Sequence, residues 1–179
     1  EGAAFADHAR ELIAAHDRAV ASPAAARPQL LLGISDHVAG PELVPMLQRL
    51  GAMTSQLVLS VGIAFSRELL DRYDAGALDA IIVRQEASRR GGETLIEDQF
   101  GWFAAPHHQV RRGEPLRLAT LAPPCGVRAL AVRALDKAGI AWSEGFVGGG
   151  VSAVAAAALA GLAVAPLAHR IAPPGLVDI

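Results

Sequence analysis

The sequence predicts an α/β protein built from two units, each a mostly parallel sheet flanked by helices, with one helix ahead of them. Two observations predict this class. From Gln29 onward, short apolar runs alternate with helical patterns that end on glycine, the order expected of strands joined by right-handed parallel crossovers. Hydrophobic residues make up 52% of the chain but aromatics only 4%, so the apolar mass is Ala, Leu and Val. That composition suits buried parallel strands under close-packed helices.

The leading segment, Ala3 to Ala21, reads as one helix. Phe5, Ala9, Leu12, His16 and Ala19 recur at steps of four and three, while Asp7, Arg10, Glu11, Asp17 and Arg18 take the other faces. Such a narrow seam suits a pairing helix or an amphipathic helix lying on its own domain. Ser22 to Pro28, with two prolines, ends it as a linker. The expected organisation is therefore 1–22 leading helix, 23–28 linker, 29–105 first unit and 106–179 second unit, with the break at Pro106-His107-His108.

In the first unit, Leu30 to Ile34 is a continuous apolar strand. Pro41 to Leu50 is a helix with Leu43, Val44, Met46, Leu47 and Leu50 as its expected buried side and Gly51 as its stop. Leu57 to Val61 is a second strand. Arg67 to Ala75 is a helix closed by Gly76, with Ser66 as its expected N-cap. Leu78 to Val83 is a third strand, and Leu95-Ile96 and Phe100 to Ala105 follow as one or two more. The second unit holds a strand at Arg117 to Leu121, a helix at Val127 to Ala138 stopped by Gly139, and a strand at Ile140 to Val147. An Ala-rich helix at Val151 to Ala160, a strand at Leu162 to Ala165 and a short strand at Leu176 to Ile179 complete it.

Composition narrows the function. At 179 residues the chain is long enough for a sizeable core, and its net charge of -2 is scattered, with no basic stripe to mark a nucleic-acid surface. Cys125 is the single cysteine, so no internal disulfide forms, which fits a reducing compartment. The charged start, Glu1 to Arg10, is not a signal peptide. Val151 to Ala168 is nearly uncharged, but it is mostly alanine and broken by Gly161 and Pro166. A buried helix and strand is the better reading than a membrane span.

Ligands of open parallel sheets bind outside the carboxyl ends of the strands. Here those ends are Ser35-Asp36-His37, Gly62 to Ser66, Arg84-Gln85, Pro123-Pro124-Cys125-Gly126, and Gly148-Gly149-Gly150 with Val151 and Ser152. Most precede a helix, whose unpaired N–H groups favour an anionic or polar ligand. Arg84 and Arg128 stand as carboxylate partners or as plain surface cations. Cys125 is a thiol at a helix start, with no recognisable catalytic histidine order around it. The adjacent His107 and His108 lack the geometry of a metal pair. The triple glycine lacks a Gly-Lys-Ser/Thr or an acidic partner, so it is no nucleotide signature. No cofactor, metal or catalytic residue is expected.

Local patterns resemble the effector-binding domain of LysR-type transcriptional regulators. Leu31-Leu32-Gly33-Ile34-Ser35 followed by Leu43-Val44-Pro45-Met46-Leu47 is similar to that family's opening strand, polar loop and first helix. Ser66-Arg67-Glu68-Leu69-Leu70 through Gly76-Ala77-Leu78-Asp79-Ala80-Ile81-Ile82 is similar to its second helix, Gly stop and Leu-Asp strand. Ala160-Gly161-Leu162-Ala163-Val164-Ala165-Pro166 resembles its late Ala-Gly-Leu strand, and the leading helix resembles its linker and dimerisation helix.

The resemblance implies a two-lobed, periplasmic-binding-protein-like fold that senses a small effector between its lobes. Ser35, Asp36, His37, Ser66, Arg84, Pro124, Cys125, Gly126, Gly149 and Gly150 are then the expected effector contacts. It implies a cytoplasmic homodimer or tetramer, paired through the Pro41 to Leu50 helix and its neighbouring strand. Promoter DNA and RNA polymerase would be reached only through the full-length protein, and no membrane is involved. It also implies a DNA-binding domain ahead of Glu1. A strand returning to the first lobe and a closing helix are expected beyond Ile179. A transport-type solute-binding protein and an enzyme using Cys125 on the same scaffold are the competing readings.

Overall fold

A computed structural model describes residues 8–16, 28–53, 57–85, 91–110 and 113–179. Residues 8–16 form a helix, α1, in which Leu12 is 72% exposed. The rest of the expected leading helix, with Phe5 and Ala19, lies outside the described residues, as do residues 23–27 of the linker.

The first lobe is a three-stranded parallel sheet in the order β2-β1-β3, formed by β1 (Gln29–Ser35), β2 (Val58–Ala64) and β3 (Ala80–Ile82). β1 is central because both its faces are apolar, and Ile34 and Leu32 are buried. Helix α3 (Ser66–Asp74) packs directly on it. A Cβ at Gly33 would stand 2.7 Å from Leu69 and 2.8 Å from Leu78, so glycine is what lets α3 and the following loop close onto β1. Asp79, of the Leu-Asp pair, accepts the Leu31 N–H at 2.7 Å and thereby anchors the start of β3 to β1.

Helix α2 (Leu43–Met53) connects β1 to β2 without settling on the sheet. None of its residues is buried, and Val44 is 61% exposed. Of the expected buried side, Leu43, Met46 and Leu50 are only half-buried and Val44 and Leu47 are exposed, and Gly51 lies inside the helix rather than ending it. An amphipathic pattern marks a face that needs cover; it does not say what covers it.

The second lobe is built on β4 (Phe100–Ala104), β5 (Leu116–Leu121), β6 (Trp142–Gly148), β7 (Ala165–Ala168) and β8 (Val177–Asp178). β5 and β6 are parallel, and β4 lies between β7 and β8, antiparallel to both. The Ala119 N–H donates to the Val164 carbonyl, and the Val164 N–H to the Arg117 carbonyl, both at 2.8 Å, which joins the two sets into one sheet. The strand at Phe100 was expected to close the first unit, and it sits instead in the middle of the second sheet. The boundary at Pro106 therefore falls one strand late, because an apolar run does not encode which sheet it joins. Leu95 and Ile96 form no strand and are exposed.

Helices α4 (Gly126–Ala138) and α5 (Val151–Leu159) flank this sheet. Ala155, Ala157 and Ala158 are buried with Val151 and Val154, so the alanine bias serves a close approach to the sheet. Among the described residues no helix is long and apolar enough to cross a membrane. The strand expected at Leu162 begins only at Ala165, since the Leu162 N–H still closes α5 by donating to Ala157 at 3.0 Å across the left-handed Gly161. A second small cluster, Ala104, Leu118, Leu135 and Val164, is flanked by Trp102, Leu116 and Trp142.

Leu118 is wholly buried where β5 meets Val164. Leu118→Ala should lower the unfolding free energy by about 2–5 kcal/mol. Urea unfolding followed by circular dichroism checks this, and a loss under about 1 kcal/mol would contradict the packing described.

Candidate functional site

The carboxyl ends of strands from both lobes converge on a cavity of about 220 Å³. Its wall comprises Ser35, His37, Phe65, Ser66, Arg67, Arg84, Pro124, Cys125, Gly126 and Val127. A larger open groove of about 380 Å³ runs along His107, His108, Glu114, Arg117 and Gly161. It lies at the amino ends of β5 and β7, away from the helix starts, and His108 there contacts the Gly161 carbonyl at 3.2 Å. The smaller cavity is the one that helix dipoles and strand ends address.

Ser35 ends β1 and is 4% exposed. Ser66 opens α3, and its hydroxyl lies 3.0 Å from that of Ser35, to which it donates. The expected capping role of Ser66 is not what the structure holds. Phe65 occupies the N-cap position with no side-chain cap, so the Ser66 hydroxyl is turned toward β1 and the cavity rather than to its own helix.

Asp36 and His37 reach across to the second lobe. The Asp36 carboxylate accepts the Val151 N–H at 2.8 Å and so occupies the start of α5. His37 is 9% exposed, with Nε2 3.4 Å from the Cys125 Sγ and Nδ1 without a hydrogen-bond partner. Burial pushes the His37 imidazole down to about 4, helped by Arg84 and opposed by Asp36. Cys125 is the N-cap of α4, and its sulfur accepts the Arg128 N–H at 3.4 Å. Gly126 lies against the Arg84 guanidinium, which a Cβ there would displace.

Of the ten residues expected at the site, Ser35, His37, Ser66, Arg84, Pro124, Cys125 and Gly126 line the cavity. Asp36 is spent on α5, and Gly149 and Gly150 stand outside the wall, Gly150 as the N-cap of that helix. Arg128 is turned away, binding Glu144 at 2.6 and 3.1 Å and lying over Trp142. Phe65, Arg67 and Val127 were not singled out, although each adjoins a residue that was. Behind the cavity, Arg170 ties the lobes by bonding Glu42 at 2.6 Å, Asp98 at 3.0 Å and the Val38 carbonyl at 3.3 Å. Among the described residues no cluster of three or more His, Cys, Asp or Glu could hold a metal. Two hydroxyls, a guanidinium and a thiol in a small half-enclosed space suit a compact ligand with oxygen acceptors.

The lowered His37 makes stability depend on pH. Between about 6.5 and about 4 the unfolded chain takes up a proton that the folded chain refuses, so stability is full above that window and falls as pH drops through it. The loss should reach about 2 kcal/mol by about pH 5. Urea midpoints measured across this range, in the parent and in His37→Gln, test it. Equal slopes in the two would contradict the assignment.

The comparisons with known proteins agree with this fold. The model of the LysR substrate binding domain matches residues 23–178. The chain is 32% identical over 165 residues to the HTH-type transcriptional regulator PecT of Dickeya dadantii (strain 3937), covering 91% of this chain and 52% of that protein. It therefore spans about half the length of that curated relative. The fold is similar to the Synechocystis PCC6803 CcmR regulatory domain in complex with 2-PG, with a TM-score of 0.65 at 11% identity over 84% of this chain and 79% of that one. It is equally similar to the effector binding domain of QuiR in complex with shikimate, with a TM-score of 0.65 at 10% identity over 86% and 81%. On the match along residues 23–178, the chain belongs to the LysR substrate binding domain family.

Proposed function

We propose that this chain is the effector-sensing part of a LysR-type transcriptional regulator, and that it binds a small anionic or polar molecule in the cavity between its lobes. One observation carries the reading: Ser35 and Ser66 from one lobe and Cys125 and Gly126 from the other line the same small cavity, with Arg84 beside them. A molecule held by both lobes changes the free energy of closing them. It shifts the closed state only by as much as it binds that state better. No chemical turnover is assigned to the cavity, and promoter DNA and RNA polymerase are reached through the rest of the regulator.

The signal needs a partner surface, and α2 with β2 supplies it. Val44 and Met53 on α2 are exposed, as are Val61 and Ile63, which share one side of the edge strand β2. We assign this face to pairing with a second copy of the chain, in the symmetric arrangement usual for homo-oligomers. Arg170 couples the two functions, because it holds Glu42, immediately before α2, to the second lobe.

Two outcomes are expected. In a thermal-shift screen of small organic acids, hits should bind several-fold more weakly to Ser66→Ala, a loss of about 0.5–1.5 kcal/mol, and more weakly still to Arg84→Gln, about 1.5–3 kcal/mol. The unliganded melting point of Ser66→Ala should fall somewhat, because the buried Ser35 hydroxyl loses its partner, so each affinity is read against the same variant's unliganded melting point. Hits confined to cations, or equal affinity in both variants, would overturn the site. In light scattering, the parent should self-associate, and the double variant Val44→Glu, Ile63→Glu should be monomeric at the same concentration. A strict monomer in the parent would overturn the pairing surface.

A further inference from the structure

We infer that the open groove of the second lobe is a second small-molecule site, and that it takes a zwitterionic α-amino acid with a short aliphatic side chain. The groove holds about 380 Å³, within the usual size of small-molecule sites. It shares no residue with the interlobe cavity, so the inference stands apart from the effector reading. A positive, a negative and an apolar feature meet in it.

The positive feature is Arg117, near the start of β5. The pairing of β5 with β6 is irregular beside it. Leu118 lies opposite Glu144 and Ala119 opposite Phe146, so Gly145 is an extra, unpaired residue in β6. Such a bulge re-aims neighbouring side chains. A Cβ on Gly145 would stand 3.0 Å from the Arg117 Cβ and 3.2 Å from its Nε. The bare glycine is therefore the seat on which the Arg117 side chain lies. Arg117 is exposed, and it has no hydrogen bond or ion pair among the described residues. An arginine with a seated stem and an unspent guanidinium offers its fork to a carboxylate.

The opposite polarity comes from the turn after α5 and the loop before β5. The Gly161 carbonyl can only accept, so His108 donates to it through Nδ1, at 3.2 Å. In its neutral form the ring then carries its lone pair on Nε2, which has no partner among the described residues. Gly161 is left-handed, with φ 72°, and a Cβ there would stand 3.0 Å from the His107 Nε2, so only glycine lets this turn and this loop close together. Glu114 belongs to the same wall, and the carboxyl end of α5, the negative end of its dipole, adjoins it. A lone pair, a carboxylate and a helix carboxyl end call for an ammonium. Val110 and Leu162, 57% and 49% exposed, supply apolar surface for a short side chain. A plain acid would bring its charge to Glu114, and a plain amine would bring its charge to Arg117, so the groove selects against both.

The test is a titration of the isotope-labelled chain with L-leucine, followed by amide chemical shifts in nuclear magnetic resonance spectra. Two analogues are titrated in parallel: isocaproate, which lacks the ammonium, and isoamylamine, which lacks the carboxylate. L-leucine should give saturable shifts at the amides of His108, Arg117, Gly161 and Leu162. Each analogue should bind about ten-fold or more weakly than L-leucine, and Arg117→Gln should weaken L-leucine by a similar factor. Arg117 is exposed, so this variant keeps its fold, which the dispersion of the same spectra verifies. The absence of saturable shifts, or shifts confined to Ser35, Ser66 and Gly126 in the interlobe cavity, overturns the proposal. So does an analogue that binds as tightly as L-leucine, or unchanged binding in Arg117→Gln.

Discussion

Three consecutive polar side chains leave the inner end of β1, and each must find a partner away from bulk water. Ser35 takes the Ser66 hydroxyl, Asp36 takes the first N–H of α5, and His37 takes the Cys125 thiol. The first of these bonds holds the lobe's own second helix. The other two reach the second lobe. Leaving such groups bare would cost about 1–3 kcal/mol each, so satisfying them sets where the lobes meet and what faces the space between them. The cavity follows from that constraint. It is the volume left when β1, α3 and the loop before α4 are drawn together by their own polar atoms.

Much of this was legible in the sequence, because parallel α/β units announce themselves by period and punctuation. The strand at Leu30, the Gly76 and Gly139 stops, and the polar residues at strand ends all stand where expected, and the match to the family model spans them. The resemblance added what periodicity lacks, namely that two such units face each other. Seven of the ten expected contacts line the cavity, since strand ends in an open parallel sheet have one place to go.

What the sequence concealed is equally physical. Phe100 to Ala104 is apolar enough for either sheet, and its pairing with β7 and β8 depends on residues more than sixty positions downstream. Asp36 looked like a ligand contact, and only the three-dimensional approach of Val151 shows its charge already engaged. Ser66 has the residue type of a cap, yet the turn entering α3 puts Phe65 in that place. The apolar side of α2 was read as core from its spacing, but spacing is blind to whether the covering surface belongs to the same chain. Arg170, whose three partners span both lobes, carried no local signal at all.

The position of the aromatic residues has a consequence of its own. Both tryptophans, Trp102 and Trp142, pack around the small cluster of the second lobe, and the first lobe has none. Intrinsic indole emission is therefore a probe of one half of the molecule. The Trp142 indole lies beside the Arg128 guanidinium and bonds Asp136 at 3.1 Å, so its spectrum answers to the charge state of α4 as well as to unfolding. An emission trace set against a far-ultraviolet ellipticity trace, which sums over both lobes, reveals whether the two halves of the molecule melt together or one after the other.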